Sequence, residues 1–207
     1  MVRRPVAAGG HRRRALKPRL IVFAGHAGTG KTTLARLAVS RLHELTGESF
    51  CVLDKDTVYG AFSAKVMGLL TGDSHDRDSP VYLENLRDEE YAGLLHIARE
   101  NLALGVNVVL VGPFSREVKD RRMFDPELLE LPPATLVHVI WVSIAEDLAR
   151  ARIEARGDAR DRYKLEHWDE YRLRRFDPAP ALYPELLRHD NTNHDQERFE
   201  ALLRRLT

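Results

Sequence analysis

The amino-acid sequence predicts an α/β fold in which a parallel sheet is covered by helices on both faces. Five short apolar runs rich in β-branched residues alternate with segments of helical periodicity. The runs cover residues 20–24, 50–53, 106–111, 135–142 and 186–189. Strands that alternate with helices are joined by right-handed crossovers, which place helices on both faces of the sheet. A ligand of such a sheet lies beyond the carboxyl ends of the strands, where we expect the functional residues.

A phosphate-binding motif directly follows the first predicted strand. Residues 25–32 read GHAGTGKT, match the pattern G-x-x-x-x-G-K-[ST], and precede leucines at helical spacing. In this motif the backbone N–H groups and the helix N-terminus hold phosphate oxygens, so we expect the chain to bind a nucleoside triphosphate. The predicted nucleotide ligands in this segment are Gly25, His26, Ala27, Gly28, Thr29, Gly30, Lys31, Thr32 and Thr33.

Side chains of the same segment carry three further expectations. Lys31 is predicted to reach the β- and γ-phosphates as a catalytic residue, and the Thr32 hydroxyl is predicted to ligate Mg²⁺. The imidazole of His26 is expected to point outward, because the loop needs only the backbone of this residue.

Size and composition are typical of one globular domain, predicted to span residues 19–207. The chain is 43% hydrophobic and 30% charged, and no apolar run approaches the roughly 20 residues of a membrane span. The single cysteine, Cys51, excludes an internal disulfide and is typical of a reducing compartment. We therefore expect a cytoplasmic protein without a membrane partner, and the sequence specifies no oligomeric state.

The N-terminus is strongly basic. Residues 1–19 contain seven Lys or Arg and no acidic residue, although the formal net charge of the whole chain is +1. The lack of aromatic residues there, together with Pro5, Gly9 and Gly10, indicates a disordered tail over residues 1–18. A basic arm of this kind is also found in nucleic-acid-binding proteins, but we do not expect a nucleic-acid partner.

Two connections between the predicted strands are too long to be simple crossovers. Residues 57–105 are predicted to hold two helices, at about 57–70 and 80–104, joined by an acidic loop that is either a solvated turn or a contact for a cationic acceptor. Residues from about 144 to 185 are rich in arginine. Long insertions at the ligand end of a sheet commonly form substrate walls and lids, which are the roles we predict for these two.

Two carboxylates, Asp54 and Asp56, follow the second strand. Asp56 is predicted to bind the acceptor and to act as the base on its hydroxyl, while Asp54 is predicted to contact the substrate and to support Mg²⁺ through water. As an alternative, Asp56 or Thr57 caps the next helix. The third strand ends in Val111, where many phosphate-loop proteins have an aspartate, and this valine disfavours motor ATPases and GTPases.

Arginines follow the third and fourth strands. Arg116 is a predicted substrate ligand, with a solvated helix start as the alternative. Arg152 and Arg156 share one helix face and are predicted to be catalytic, since forked guanidinium donors suit phosphoryl oxygens. Arg152 is also predicted to bind the nucleotide, and Arg160 to bind the substrate. The alternative for this helix is glutamate–arginine pairing. Near the last strand, Asn191 is predicted to border the adenine, with a polar strand-to-helix turn as the alternative for this segment.

Apart from His26 in the phosphate loop, the histidines and aromatic residues carry no site prediction. The nine histidines show no metal-ligand spacing, so Thr32 and Asp54 are the predicted metal residues. Trp168 and Tyr171 share a helical pattern with Leu165, which indicates packing rather than stacking on a base.

The phosphate loop, the Asp54-Lys55-Asp56 strand end and the arginine-bearing helix together resemble those of the small P-loop kinases. Over roughly residues 19–205 the chain is similar to bacterial kinases of the AAA-family ATPase type, related to chloramphenicol phosphotransferase and the zeta toxins. This resemblance implies a P-loop NTPase three-layer sandwich with strand order 2-3-1-4-5. It also implies that Asp56 is the base and that an arginine-bearing lid follows the fourth strand.

The leading hypothesis is therefore ATP-dependent phosphorylation of a hydroxyl on a small molecule, with ATP and Mg²⁺ as cofactors. Nucleoside monophosphate kinases resemble this layout too, but they usually have an arginine where this chain has Tyr59, which favours an acceptor without its own phosphate. A switch or assembly ATPase and a toxin-type kinase that acts on a larger partner are two further candidate functions.

Overall fold

The computed structural model describes residues 17–207 and contains a five-stranded parallel sheet. Its strands are β1 (Arg19–Ala24), β2 (Phe50–Asp54), β3 (Asn107–Val111), β4 (Leu136–Ser143) and β5 (Leu187–Asp190). Their order is β2-β3-β1-β4-β5 with every neighbouring pair parallel, which confirms the predicted topology. Each strand begins and ends within one residue of its predicted limits.

Helices cover both faces of this sheet. They are α1 (Lys31–Thr46), α2 (Lys55–Thr71), α3 (Pro80–Asn85), α4 (Arg87–Ala103), α5 (Ser115–Lys119), α6 (Glu146–Arg156), α7 (Arg162–Glu166), α8 (Trp168–Leu173) and α9 (Gln196–Leu206). Short 3₁₀ turns lie at Arg122–Phe124 and Ala159–Asp161.

The central strand β1 is buried on both faces because its alternate side chains enter different layers. Leu20, Val22 and Ala24 pack in the cluster that includes the apolar face of α4. Ile21 and Phe23 pack in the second cluster, with α1 and α9. The phosphate loop therefore follows a strand that is held from both sides.

Helix α2 begins two residues earlier than predicted because Asp54 is its N-cap. The Oδ1 atom of Asp54 accepts hydrogen bonds from the backbone N–H groups of Asp56 at 2.9 Å and Thr57 at 3.2 Å. The alternative that Asp56 or Thr57 caps the helix is wrong, because the N-cap is Asp54.

The helix predicted over residues 80–104 is divided at Leu86, whose φ of −126° is not helical. Ser79 and Pro80 begin α3 as cap and first residue, in the positions these residue types favour. The division lets the Tyr82 hydroxyl donate to Glu90 across the break at 2.5 Å. The hydrophobic periodicity of the sequence does not indicate this contact, because Tyr82 and Glu90 lie on different helices.

Arg19, which the sequence groups with the basic N-terminal segment, is buried in β1. It pairs with Glu48, donates to the carbonyl oxygen of Leu206, and lies 5.6 Å from the ring centre of Phe50. Arg19 is therefore part of the folded domain and not of the basic N-terminal tail. Of the predicted disordered tail, residues 1–16 lie outside the described residues. The predicted limits of the domain and of its two insertions stay predictions.

No helix within residues 17–207 has the length and apolar character needed to cross a membrane.

A buried ion pair fixes the start of α4 against α5. Arg87 donates to Glu117 through both terminal nitrogens, at 2.9 and 3.0 Å, and its guanidinium lies 4.2 Å from the ring centre of Tyr91. Both charged side chains are buried, whereas the further partner of Arg87, Asp88, is exposed.

We expect Glu117→Ala to lower the free energy of unfolding by about 3–5 kcal/mol, because it leaves the Arg87 charge buried without its main partner. The double variant Arg87→Met/Glu117→Leu should lose much less, since apolar groups replace both charges. Urea denaturation followed by circular dichroism measures both values. Equal losses in the two variants would contradict this explanation.

Candidate active site

A cavity of about 540 Å³ opens beyond the carboxyl ends of β1, β2 and β3. Its walls come from the phosphate loop, the start of α2, the segment after β3, and the lid segment that contains α6, α7 and α8. The predicted site residues that line it are His26, Ala27, Gly28, Gly30, Lys31, Thr32, Thr33, Asp54, Asp56, Arg116, Arg152, Arg156 and Arg160. The structure thus brings together residues from four separate parts of the chain.

The phosphate loop has a backbone conformation that favours glycine. Gly25, Gly28 and Gly30 have φ values of +138°, +80° and +83°. A Cβ atom on Gly28 would lie 2.6 Å from the carbonyl oxygen of Ala149, so α6 approaches the loop without space for a side chain. Because α1 begins at Lys31, a helix N-terminus completes the loop, an arrangement that favours anions.

Lys31 has no carboxylate in direct contact within residues 17–207. Its Nζ donates to the carbonyl oxygen of His26 at 2.6 Å, and the Thr29 hydroxyl donates to the same oxygen at 3.0 Å. Burial lowers the pKa of the Lys31 ammonium to about 8, although the nearby Asp56 acts to raise it. The charge of Lys31 is therefore poorly compensated, which favours an anionic ligand.

The imidazole of His26 points inward, so the expectation that it points outward is wrong. Its Nε2 lies 2.7 Å from the carbonyl oxygen and 3.0 Å from the backbone nitrogen of Phe176, and the ring packs edge-on against Trp141. Burial lowers the pKa of His26 to about 4, so the ring is neutral at physiological pH. This contact joins the phosphate loop to the end of the lid segment.

Thr32 and Asp54 meet at the floor of the cavity, where the Thr32 hydroxyl donates to Asp54 Oδ2 at 2.7 Å. A hydroxyl and a carboxylate supply the hard oxygen atoms that Mg²⁺ prefers, and Mg²⁺ usually keeps several waters and takes only one or two carboxylates. The donor set therefore fits the predicted ion. No group of three or more His, Cys, Asp or Glu suited to a metal occurs within residues 17–207, and Val111 adds no oxygen.

Asp56 lies half-exposed in the cavity between two cations. Its carboxylate is 3.3 Å from Lys55 Nζ and 3.3 Å from a terminal nitrogen of Arg160. Burial acts to raise the pKa of Asp56, but Lys55, Arg160 and Lys31 outweigh it and hold the pKa below its ordinary value. The group is ionised at neutral pH and can accept a hydrogen bond.

Lys55 is a site residue that the sequence patterns did not indicate. Its Nζ contacts Glu90 at 2.9 Å and the Tyr82 hydroxyl at 3.0 Å, and Ser63 also donates to Glu90. These four side chains form a buried polar network directly behind Asp56. Its members are 35 residues apart in sequence at the widest, so only the fold brings them together.

The three predicted lid arginines have different partners. Arg156 pairs with Asp161, and Arg160 pairs with Asp158 as well as Asp56. Arg152 Nη2 donates to the carbonyl oxygen of Asn191 at 3.4 Å. The predicted glutamate–arginine pairing occurs elsewhere on α6, between Arg150 and Glu154 at 2.9 Å.

Asn191 lies in a second cavity, of about 640 Å³, between α1, the segment after β5 and the start of α9. Its side-chain nitrogen donates to the carbonyl oxygen of Thr29 at 2.8 Å, below the phosphate loop. Leu37 and Phe199 give this cavity apolar walls, and Gly30 joins it to the main cavity. Asn191 and this cavity therefore adjoin the phosphate loop.

The sequence of the chain matches a known protein family over most of its length. A family model described as an AAA domain matches residues 20–178. The chain belongs to this AAA domain family. The predicted resemblance to P-loop kinases is also confirmed, because several structural neighbours of this AAA domain are kinases. No curated protein matches the chain significantly.

Solved structures show the same architecture over nearly the full chain. A candidate kinase from Chloroflexus aurantiacus is 25% identical with a TM-score of 0.62, and the match covers 92% of this chain and 97% of that one. The Mycobacterium tuberculosis APS kinase, in complex with AMPPNP and APS, is 18% identical with a TM-score of 0.58, covering 92% and 98%. A Sinorhizobium meliloti gluconokinase is 18% identical with a TM-score of 0.53, covering 92% and 94%. The last two likenesses show the fold.

The lid of this AAA domain contributes residues that sequence patterns did not indicate. Tyr171, expected only to pack, accepts a hydrogen bond from the backbone N–H of Ala27 at 3.2 Å. Arg175 lines the main cavity, and its Nη1 is buried without a hydrogen-bond partner among the described residues. The sequence gives no local signal for either feature, because the Tyr171–Ala27 contact and the cavity both involve segments that are far apart in the chain.

The acidic loop between α2 and α3 contacts the lid segment, so it is not simply a solvated turn, while its role as a contact for a cationic acceptor stays a prediction. Asp73 pairs with Arg162 at 2.9 Å, and Asp78 pairs with Lys164 at 3.2 Å. Lys164 also contacts the buried Asp161 at 3.2 Å. The two insertions thus meet above the cavity through opposite charges.

We expect the affinity for Mg²⁺–AMPPNP to fall as the pH rises through the Lys31 pKa of about 8, because the protonated ammonium attracts the triphosphate. The fall should approach about tenfold per pH unit above that pKa. Isothermal titration calorimetry from about pH 7 to about pH 9 measures it. The variant Lys31→Arg keeps its charge and should show a nearly level affinity. A wild-type profile as level as that of Lys31→Arg would contradict the role of Lys31.

Proposed function

We propose that this AAA-domain protein is an ATP-dependent kinase that transfers the γ-phosphoryl group to a hydroxyl of a small molecule. The observation that carries the proposal is the position of Asp56. Its ionised carboxylate shares one cavity with the phosphate loop and stands beside a lid arginine. The fold, which a gluconokinase and an APS kinase also have, is consistent with phosphoryl transfer.

The donor half of the proposed site is the phosphate loop with Lys31. The loop N–H groups and the Lys31 ammonium hold the β- and γ-phosphates of ATP, while the base lies in the second cavity beside Asn191. Groups fixed in this way stabilise the charge that develops on the transferred phosphoryl group without reorganising at the moment of reaction.

Thr32 and Asp54 are the residues that would hold Mg²⁺. When bound, the ion neutralises negative charge on the phosphate oxygens. Asp54 also orients the Thr32 hydroxyl by accepting its hydrogen bond at 2.7 Å.

Asp56 is the proposed base. The acceptor oxygen forms a bond to the γ-phosphorus, the bond from that phosphorus to the β–γ bridging oxygen breaks, and the hydroxyl proton passes to Asp56 as ADP leaves. A carboxylate with a low pKa is a weak base, so its main contribution is to orient the hydroxyl until proton transfer late in the reaction.

The lid arginines supply the remaining positive charge. Arg152, Arg156 and Arg160 line the same cavity and stay charged at any working pH. When Arg160 contacts the phosphoryl oxygens in place of Asp56, the carboxylate becomes free for the acceptor hydroxyl. Closure of the lid also excludes water, which would otherwise compete as acceptor.

We expect Asp56→Asn to lower acceptor-dependent ADP release by about 10²–10⁴-fold, because the amide cannot take the proton. AMPPNP affinity should change little. An acceptor screen that follows ADP release measures the first quantity, and calorimetry measures the second. Asp169→Asn, a control on a 94% exposed side chain of α8, should match the wild type. ADP release that needs no acceptor and is unaffected by Asp56→Asn would contradict the kinase assignment and favour an ATPase.

A further inference from the structure

One part of the main cavity, here called the acceptor wall, is built by α2, α3, the loop between them, α4 and the segment after β3. Its charged residues are Lys55, Asp56, Arg77, Asp78, Arg87 and Arg116. Two of its cations are neutralised inside the protein, Lys55 by Glu90 and Arg87 by Glu117. Asp78 is likewise paired, with Lys164 of the lid. The charges of Arg77 and Arg116 remain to be explained.

Arg77 has no carboxylate partner among residues 17–207, although it is half-buried. Its Nη2 donates to the carbonyl oxygen of Gly60 at 2.7 Å, and its guanidinium lies 5.7 Å from the ring centre of Tyr82. Both contacts hold the guanidinium in place, but neither cancels its charge. A half-buried cation without a counter-ion favours an anionic ligand.

Arg116 is held close to the same wall by its helix. Its neighbour Glu117 is fixed by the buried pair with Arg87, while the Arg116 side chain itself is half-exposed. The nearest carboxylate, Asp88, lies 3.4 Å away, is exposed, and already contacts Arg87 at 2.6 Å. Exposed pairs of this kind contribute little, so the guanidinium is available to a ligand.

The sequence-based prediction of an acceptor without a phosphate rests on Tyr59. This residue does not line the cavity within the described part of the chain. Its side chain extends to α4, where a Cβ atom on Gly93 would come within 1.8 Å of the Tyr59 hydroxyl oxygen. Because Tyr59 packs between two helices, it carries no information about the charge of the acceptor. Arg77 and Arg116 supply that information from other positions.

We propose that the acceptor is an anion, a hydroxyl-bearing molecule whose carboxylate or phosphate group is held by Arg77 and Arg116. The inference rests on the proposed kinase function and deepens it. Forked guanidinium donors match the oxygens of either group. Asp56 faces the hydroxyl in this arrangement, so the charged group and the reacting group of the acceptor contact different side chains of the wall.

The test measures the binding of three matched probes to the full chain saturated with Mg²⁺–AMPPNP. Glycerol, glycerate and glycerol 3-phosphate share a three-carbon frame and differ in charge. We expect calorimetry to detect binding of at least one anion and none of glycerol, and the anion that binds distinguishes a carboxylate from a phosphate site. Arg77→Gln and Arg116→Gln should each raise the Kd of that anion by about tenfold.

Two further variants provide matched comparisons. Arg122→Gln removes an exposed arginine that pairs with Asp120 and does not line the cavity, so it should leave the anion Kd unchanged. Arg116→Lys keeps the charge and should retain more affinity than Arg116→Gln. The AMPPNP affinity of each variant shows that the site has folded.

No binding of either anion, or equal Kd values for the Arg77, Arg116 and Arg122 variants, would overturn the inference. Binding of glycerol as tight as that of the anions would overturn it as well. A protein that binds AMPPNP but no anion contradicts only this inference, whereas a protein that binds no AMPPNP contradicts the proposed function.

Discussion

The Asp54 carboxylate makes the contacts on which the arrangement of the site depends. One oxygen accepts the backbone N–H groups that begin α2, and the other accepts the Thr32 hydroxyl at the start of α1. The end of β2, the phosphate loop and the helix that carries Asp56 therefore meet at one side chain. Because this carboxylate is nearly buried, loss of either contact would leave a polar group unsatisfied. The phosphate loop and Asp56 are thus positioned together.

Charge pairing extends this arrangement to the lid. Asp73 and Asp78 of the loop between α2 and α3 contact Arg162 and Lys164 of the lid segment, and Arg160 contacts Asp56. Of these pairs, Asp73–Arg162 is largely exposed and contributes little, whereas the side chains of Asp78 and Lys164 are mostly buried. The His26 contact with Phe176 anchors the other end of the lid to the phosphate loop. The lid segment is therefore tied both to Asp56 and to the phosphate loop.

The sheet and the phosphate loop were predictable because their signals are local. Apolar runs and glycine spacing act over a few residues, so the strand limits matched the structure, and the strand order implied by the resemblance to P-loop kinases matched as well. Lys55, Tyr171 and the inward His26 were not predictable, since their partners Glu90, Ala27 and Phe176 lie far away in sequence. The location of the Tyr59 side chain was not predictable for a related reason. Its spacing from Asp56 was visible, but the packing of α2 on α4 that turns it away from the cavity was not.

The most direct test of the proposed mechanism is a crystal structure of the protein with Mg²⁺, ADP and aluminium fluoride. We predict that the fluoride lies against Lys31, with the Asp56 carboxylate on the side opposite ADP, about 2.6–3.2 Å from the apical oxygen ligand. Arg160 should then contact the fluoride rather than Asp56. A structure in which Asp56 stays paired with Arg160 and another side chain holds the apical ligand would contradict the mechanism.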